Sequence, residues 1–163
     1  MANDLNLVPL HETEFGDVFM LTKATLFPYI NDTFGWHDDF QYQRLKNDYP
    51  LSWYYWVKYQ NKRVGLLCFK PQSKSYHIHL LIVFPEFHRQ GLGSKIMAQV
   101  YDIAERNQCD SITLSSFKSN KKAIEFYRKL GYKITNDSDK DFVTMKLDVV
   151  SKLGGISTKL NLI

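Results

Sequence analysis

Helical spacing and strand-like crowding of apolar residues alternate along the chain. Asn6 to His11 reads as a short first strand. A helix is expected from about Glu14 to Leu26, with Phe15, Val18, Phe19, Thr22 and Leu26 near one face, Thr13 as its N-cap and Pro28 as its stop. An aromatic and polar loop, Asn31 to His37, leads to a second helix from about Asp39 to Lys46, capped by Asp38. Ser52 to Tyr59 is crowded with rings (Trp53, Tyr54, Tyr55, Trp56), which suits a strand. The turn Gln60-Asn61-Lys62 and a strand from Arg63 to Lys70 complete a hairpin. A polar turn, Pro71 to Lys74, precedes the strand Ser75 to Val83, which Pro85 ends. Gly91 to Asn107 is helical, with Leu92, Ile96, Val100, Ile103 and Ala104 at helical spacing. Then come a short strand from Ser111 to Ser115, a helix from Asn120 to Leu130 that Gly131 terminates, and two strands, Tyr132 to Thr135 and Phe142 to Leu147.

This order contains no internal repeat. It fits an α/β (α+β) architecture: one mixed, mostly antiparallel sheet of about seven strands with helices on both faces. Residues 1–150 are expected to form one domain, and the weakly patterned tail 151–163 to be mobile. With 163 residues, 44% of them apolar, the chain is long enough to bury a core without staples and too apolar to be disordered. Apolar runs such as Leu80 to Phe84 fall far short of the ~20 residues of a membrane span. The start of the chain holds Asn3, Asp4 and Asn6 rather than a basic and apolar leader, so a cytoplasmic protein is expected. In that compartment the glycosylation-like Asn31-Asp32-Thr33 has no meaning, and Cys68 and Cys109 read as reduced, mostly buried thiols. A net charge of +4 without a basic run gives no footprint for nucleic acid.

The segment Leu81-Ile82-Val83-Phe84-Pro85-Glu86-Phe87-His88-Arg89-Gln90-Gly91-Leu92-Gly93-Ser94 carries the chemistry. It is a strand, a short loop and the start of an amphipathic helix. A helix N-terminus offers free N–H groups and about half a positive charge, and glycines let a phosphate approach closely. The dinucleotide fingerprint fails, because Ile96 stands where a third glycine is needed, and no Walker lysine follows. A helix entry that merely uses glycine is the alternative. The segment resembles the signature of the GNAT acetyltransferases, in which Arg/Gln-x-x-Gly-x-Gly/Ala opens a helix; His88 is the departure from it. A second block, Asn120-Lys121-Lys122-Ala123-Ile124-Glu125-Phe126-Tyr127-Arg128-Lys129-Leu130-Gly131-Tyr132, resembles the Asn-x-x-Ala-x-x-Phe-Tyr-x-x-x-Gly-Phe/Tyr block of the same family. The likeness covers roughly Arg63 to Leu147. In Ala123, Phe126 and Leu130 it coincides with an ordinary buried helix face.

The resemblance implies the GNAT fold and acetyl-CoA as cosubstrate, with no metal. It implies that the backbone of Leu81, Ile82 and Val83 pairs with the pantetheine arm. The loop His88, Arg89, Gln90, Gly91, Leu92, Gly93 and Ser94 would cradle the pyrophosphate, with Asn120, Ala123 and Tyr127 completing the coenzyme site. Transfer to a primary amine, of a small molecule, is the implied activity. A non-catalytic acyl-CoA sensor and a protein N-terminal or lysine acetyltransferase are the alternatives, and a homodimer stays open. Tyr127 occupies the place of the family's general acid. The family often places a glutamate base on the fourth strand, and here that strand has His77-Ile78-His79 instead. Residues two apart on a strand share a face, and imidazole titrates near ~6.5, so this pair suits proton relay. It resembles the pair in serotonin N-acetyltransferase. A hydrogen-bonded pair without chemistry, or a metal site needing another ligand, are the competing readings. Phe34, Trp36 and Asp38, with His37 and Asp39 beside them, would give the acceptor wall aromatic surface and acidic charge. Equally, Phe34 and Trp36 could be core anchors and Asp38 a helix cap.

Overall fold

The computed structural model describes residues 4–150, so the tail 151–163 lies outside the described residues. Seven strands form one sheet in the order β1-β2-β3-β4-β5-β7-β6: β1 (Leu5–Pro9), β2 (Tyr54–Tyr59), β3 (Lys62–Gln72), β4 (Ser75–Val83), β5 (Ser111–Phe117), β6 (Lys133–Asn136) and β7 (Phe142–Asp148). Every neighbouring pair is antiparallel except β4 and β5, which run parallel. Helices α1 (Phe15–Phe34) and α2 (Asp38–Asp48) cover one face of the sheet; α3 (Leu92–Arg106) and α4 (Lys121–Lys129) cover the other. Among the described residues no helix is long and apolar enough to cross a membrane.

The elements follow the expected pattern from β2 onward, with ends shifted by a few residues. The first helix differs. It does not stop at Pro28 but continues to Phe34, absorbing half of the expected loop. A proline inside a helix removes one N–H bond and crowds the carbonyl four residues back, at a cost of about 3 kcal/mol. Here Val18, Thr22 and Ile30 are buried, and Leu26 packs with them partly buried. These positions recur every four residues on both sides of Pro28, so burying one continuous stripe offsets the missing bond. The N-cap also differs. His11 and Glu14 form a reciprocal capping box around a 3-10 turn, Glu12–Glu14, and Thr13 lies within that turn. Glu14 additionally accepts from Trp56 Nε1 and Arg63, each at 3.0 Å, which ties the helix entry to β2 and β3. His37 rather than Asp38 stands at the N-cap of α2.

Two hydrophobic clusters lie on opposite faces of the sheet. α3 buries Leu92, Ile96, Met97, Val100 and Ala104 against β3, β4 and β5. At about 1.5–3 kcal/mol per fully buried large side chain, this docking fixes where the helix begins. On the other face Val18 and Leu45 pack on Tyr54, Leu66, Leu80 and Ile82.

Candidate active site

The parallel pairing of β4 with β5 covers only Ser75 to Ile78 against Ser111 to Leu114. Beyond it the strands splay, and the β5-facing edge of β4 from His79 to Val83 has no ladder partner. On its other side β4 stays paired, Leu80 through Val83 opposite Cys68 through Gly65. A cleft of about 850 Å³ opens at the splay, lined by β4, the end of β5, α1, α2 and the start of α4. Leu81 and Ile82 line it, and Val83 lies at its end of the strand.

β4 carries a β-bulge here. Phe69 pairs with Ile78 and Cys68 with Leu80, so His79 is an extra residue without a partner on β3. The bulge interrupts the alternation of faces: Ile78 packs on the α3 side, whereas His79 and Leu80 both belong to the α1–α2 side. His77 and His79 do share a face, with ring centroids 4.8 Å apart. His77 Nδ1 lies 2.7 Å from Thr113 Oγ1. His79 is boxed by Trp53, stacked within 5° at 5.6 Å, and by Tyr49 at 4.6 Å. Its Nε2 is buried and has no hydrogen-bond partner. Burial lowers both imidazole pKa values; that of His79, pushed further by the neighbouring His77, Lys70 and Arg44, falls to about 4. Both rings are therefore neutral at pH 7 and can accept a proton.

The loop after β4 is held by backbone geometry. Phe84 N–H donates to the Val64 carbonyl (2.8 Å), and a 3-10 turn spans Pro85–Phe87. His88 Nε2 lies 2.7 Å from the Val83 carbonyl, clipping the loop onto the strand that it leaves. Arg89 and Gly91 both have positive φ, +65° and +71°. Gly91 is the N-cap of α3, in left-handed conformation and without a side-chain cap. Lys95 is the first amide of the helix to find a carbonyl, on Gly91, so the amides of Leu92, Gly93 and Ser94 lack intrahelical acceptors. Arg89, Gln90, Gly91 and Ser94 are exposed, whereas the Leu92 side chain is core and only its amide is available. Gly93 has a packing role: a Cβ there would lie 3.0 Å from the Phe126 ring, so its bareness lets α3 approach α4.

Asn120 caps α4 by accepting from the Ala123 amide (3.2 Å), and both residues line the cleft. Tyr127 lines it too, 9% exposed, packed edge-on against Phe126 and Tyr132. Burial raises its phenol pKa above the ordinary value, so the hydroxyl stays protonated throughout the physiological range.

The expected acceptor residues separate. Phe34 lines the cleft; Trp36 and Asp38 do not. Trp36 packs on Phe19 and Phe27 and donates from Nε1 to Asp38 (2.6 Å), which also pairs with Lys23 at 2.8 Å. This clasp ties the middle of α1 to the start of α2. Several cleft residues lie outside the sequence expectation: Thr22 on α1, Gln41 and Arg44 on α2, Tyr49, and Phe117 and Phe142 at the ends of β5 and β7. Gln41, Arg44 and Leu45 do stand at i, i+3 and i+4, the one local hint that α2 turns a mixed face inward.

The profile of the acetyltransferase (GNAT) family matches residues 19–132. Thialysine N-epsilon-acetyltransferase of Sus scrofa is 34% identical over 59 residues, which are 36% of this chain and only 35% of that protein. Among solved structures, Ard1 from Thermoplasma volcanium superposes with a TM-score of 0.67 at 21% identity, over 91% of this chain and 100% of that one. PaiA N-acetyltransferase from Thermoplasma acidophilum, solved in complex with coenzyme A, gives 0.68 at 12% identity, over 91% and 99%. These two likenesses concern the fold, which agrees in its seven-stranded, mostly antiparallel sheet. With the family profile covering most of the described sheet, the splayed strand, the loop and the helix that follows it, the chain belongs to the GNAT acetyltransferase family.

Proposed function

We propose that the protein transfers an acetyl group from acetyl-CoA to the primary amine of a small molecule, both substrates being bound together. The observation that carries this is the splay itself. The β5-facing edge of β4 has no strand partner beyond Ile78, only the Val83 carbonyl being taken, by His88, and the strand leads through a short loop to the free amides that open α3. These donors fit the cosubstrate: strand-edge amides and carbonyls suit the amide-bearing pantetheine arm, and helix-terminal N–H groups suit a pyrophosphate. Arg89, Gln90 and Ser94 flank that helix entry.

Acetyl-CoA supplies an acyl group activated as a thioester, and an uncharged amine is the nucleophile. A free alkylammonium titrates near ~10.4, so a proton must leave it. The pair His77 and His79, neutral at pH 7 with ring centroids 4.8 Å apart and His77 held by Thr113, relays that proton through ordered water toward solvent, neither ring keeping it. A C–N bond forms as the C–S bond breaks; Tyr127 Oη gives its proton to the departing sulfur and is reprotonated as the attacking nitrogen loses its second proton. The test is a panel of amines with acetyl-CoA, read by thiol release. Acetyl-CoA-dependent thiol release with matching acetylated product supports the assignment. Tight acetyl-CoA binding without transfer to any amine would favour a sensor.

A further inference from the structure

Resting on that reading, we infer that the acceptor is an amine with an aromatic or large apolar body and one carboxylate, the carboxylate held by Arg44. The two ends of the cleft have opposite character. On the β5–β7 side, Phe117 and Phe142 lie 4.5 Å apart, and Phe34 stacks on Phe142 at 6.2 Å. Tyr29 stacks behind Phe117 at 5.7 Å. This is a ring-lined wall, and Phe34 is 60% exposed there. A flat apolar group slides against such a wall by offset or edge-on stacking.

On the β4–α2 side the groups are polar and lack partners. Thr22 is 2% exposed and its hydroxyl makes no hydrogen bond. Gln41 is 5% exposed, and its backbone amide, not its side chain, is what bonds. A buried polar group left unpaired is costly, so the Thr22 hydroxyl points to a ligand that pairs with it, and Gln41 lines the cleft with it. Arg44 stands on the same helix face, three residues after Gln41. It donates to Tyr49 Oη at 3.3 Å and lies only at 4.0 Å from Asp48, both by one edge of the guanidinium. The other edge is free to receive a carboxylate in the bidentate manner that suits its planar fork. Tyr49 in turn packs on His79, so the cation sits one ring away from the base. An amine close to its own carboxylate spans that short distance.

The charge balance separates this acceptor from a polycation. Among the described residues lining the cleft there is no aspartate or glutamate. Asp38, the acid expected at the wall, is spent on Lys23 and Trp36 outside it. A polyamine would bring extra positive charge toward Arg44 with nothing to neutralise it.

The test compares L-phenylalanine, phenethylamine, L-alanine and spermidine as acceptors, by kcat/KM with acetyl-CoA and by calorimetric binding in the presence of coenzyme A. Phenylalanine should lead, with phenethylamine and alanine each at least tenfold worse and spermidine last. Arg44→Met should lower the phenylalanine-to-phenethylamine ratio at least tenfold, and Phe34→Ala should lower the phenylalanine-to-alanine ratio by several-fold. Both positions are exposed, so both variants should fold. A wild-type preference for spermidine or phenethylamine overturns the inference, as does an Arg44→Met variant that weakens all four amines equally. If none is acetylated while acetyl-CoA binds, the transfer reading fails, and the calorimetric ranking still decides the acceptor class.

Discussion

Where β4 leaves the cleft toward α3 the polar groups are backbone: the strand edge from His79 to Ile82 and, beyond the cleft lining, the amides that open the helix. On the α1–α2 side they are side chains: Thr22, Gln41, Arg44 and the two imidazoles of β4. Backbone donors are placed by hydrogen-bond ladders and helix docking, so they stay put whatever the neighbouring side chains are. Side-chain donors depend on each residue's identity. On the proposed function the backbone set serves the coenzyme and is common equipment, and the side-chain set serves the acceptor and is where one such protein would differ from another. Damage to each set should consequently show in a different quantity.

The largest effect is expected from Gly91→Glu. The position has φ +71°, where any side chain is strained, and the new carboxylate would face the positive helix end. Acetyl-CoA affinity should fall about a hundredfold or more by calorimetric titration; unchanged affinity would remove the loop from the coenzyme site. Tyr127→Phe should cut kcat by roughly ten- to a hundredfold and leave acetyl-CoA affinity nearly intact, since its proton is needed only late. Wild-type turnover with chemistry rate-limiting would rule that role out.

The histidines probe the opposite wall. His77→Gln and His79→Gln should each be mild, and the double variant should lose more than the sum of the singles, as for groups acting together. The sign of the pH effect follows from burial, which lowers both pKa values, that of His79 to about 4. The proton-accepting form therefore persists below the ordinary histidine range, and the acid limb of kcat should lie below ~6.5. In the double variant that limb should move or flatten while coenzyme affinity holds. A double variant with the original rate and limb would make the pair structural. The smallest effect belongs to Gly93→Ala. Its methyl would press on the Phe126 ring, costing about 1–2 kcal/mol of stability, seen as a lower urea midpoint at unchanged slope.

The same division explains what could be read from the sequence. The loop that opens α3 and the α4 block are legible as local structure because local geometry demands particular residues at fixed spacing: Gly91 for a left-handed cap, Asn120 for a side-chain cap. The cleft wall proposed to take the acceptor is assembled from positions 22, 34, 41, 44, 117 and 142, which only the fold brings together. Trp36 and Asp38 suit an acceptor wall by their aromatic surface and charge, but the link between α1 and α2 packs Trp36 on Phe19 and Phe27 and pairs Asp38 with Lys23, away from the cleft lining. Pro28 was misread as a stop because a propensity of a few kcal/mol yields to a buried stripe on both sides of it. The bulge at His79 leaves no trace in residue type at all; it exists only as a slip in pairing with β3.

That slip makes β4 intolerant of an added residue. The strand enters with Ile78 facing one layer of helices and leaves with Leu81 and Val83 facing that same layer, one step out of phase. Deleting a single residue near His79 would restore a regular ladder, yet the histidine pair would be broken. Adding one would swing Leu80 and everything after it to the wrong side, carrying the loop entry with it. Point substitutions along this strand can be absorbed one side chain at a time. A one-codon insertion cannot, and a library of such variants should find β4 far less permissive than the turn at Ser73–Lys74.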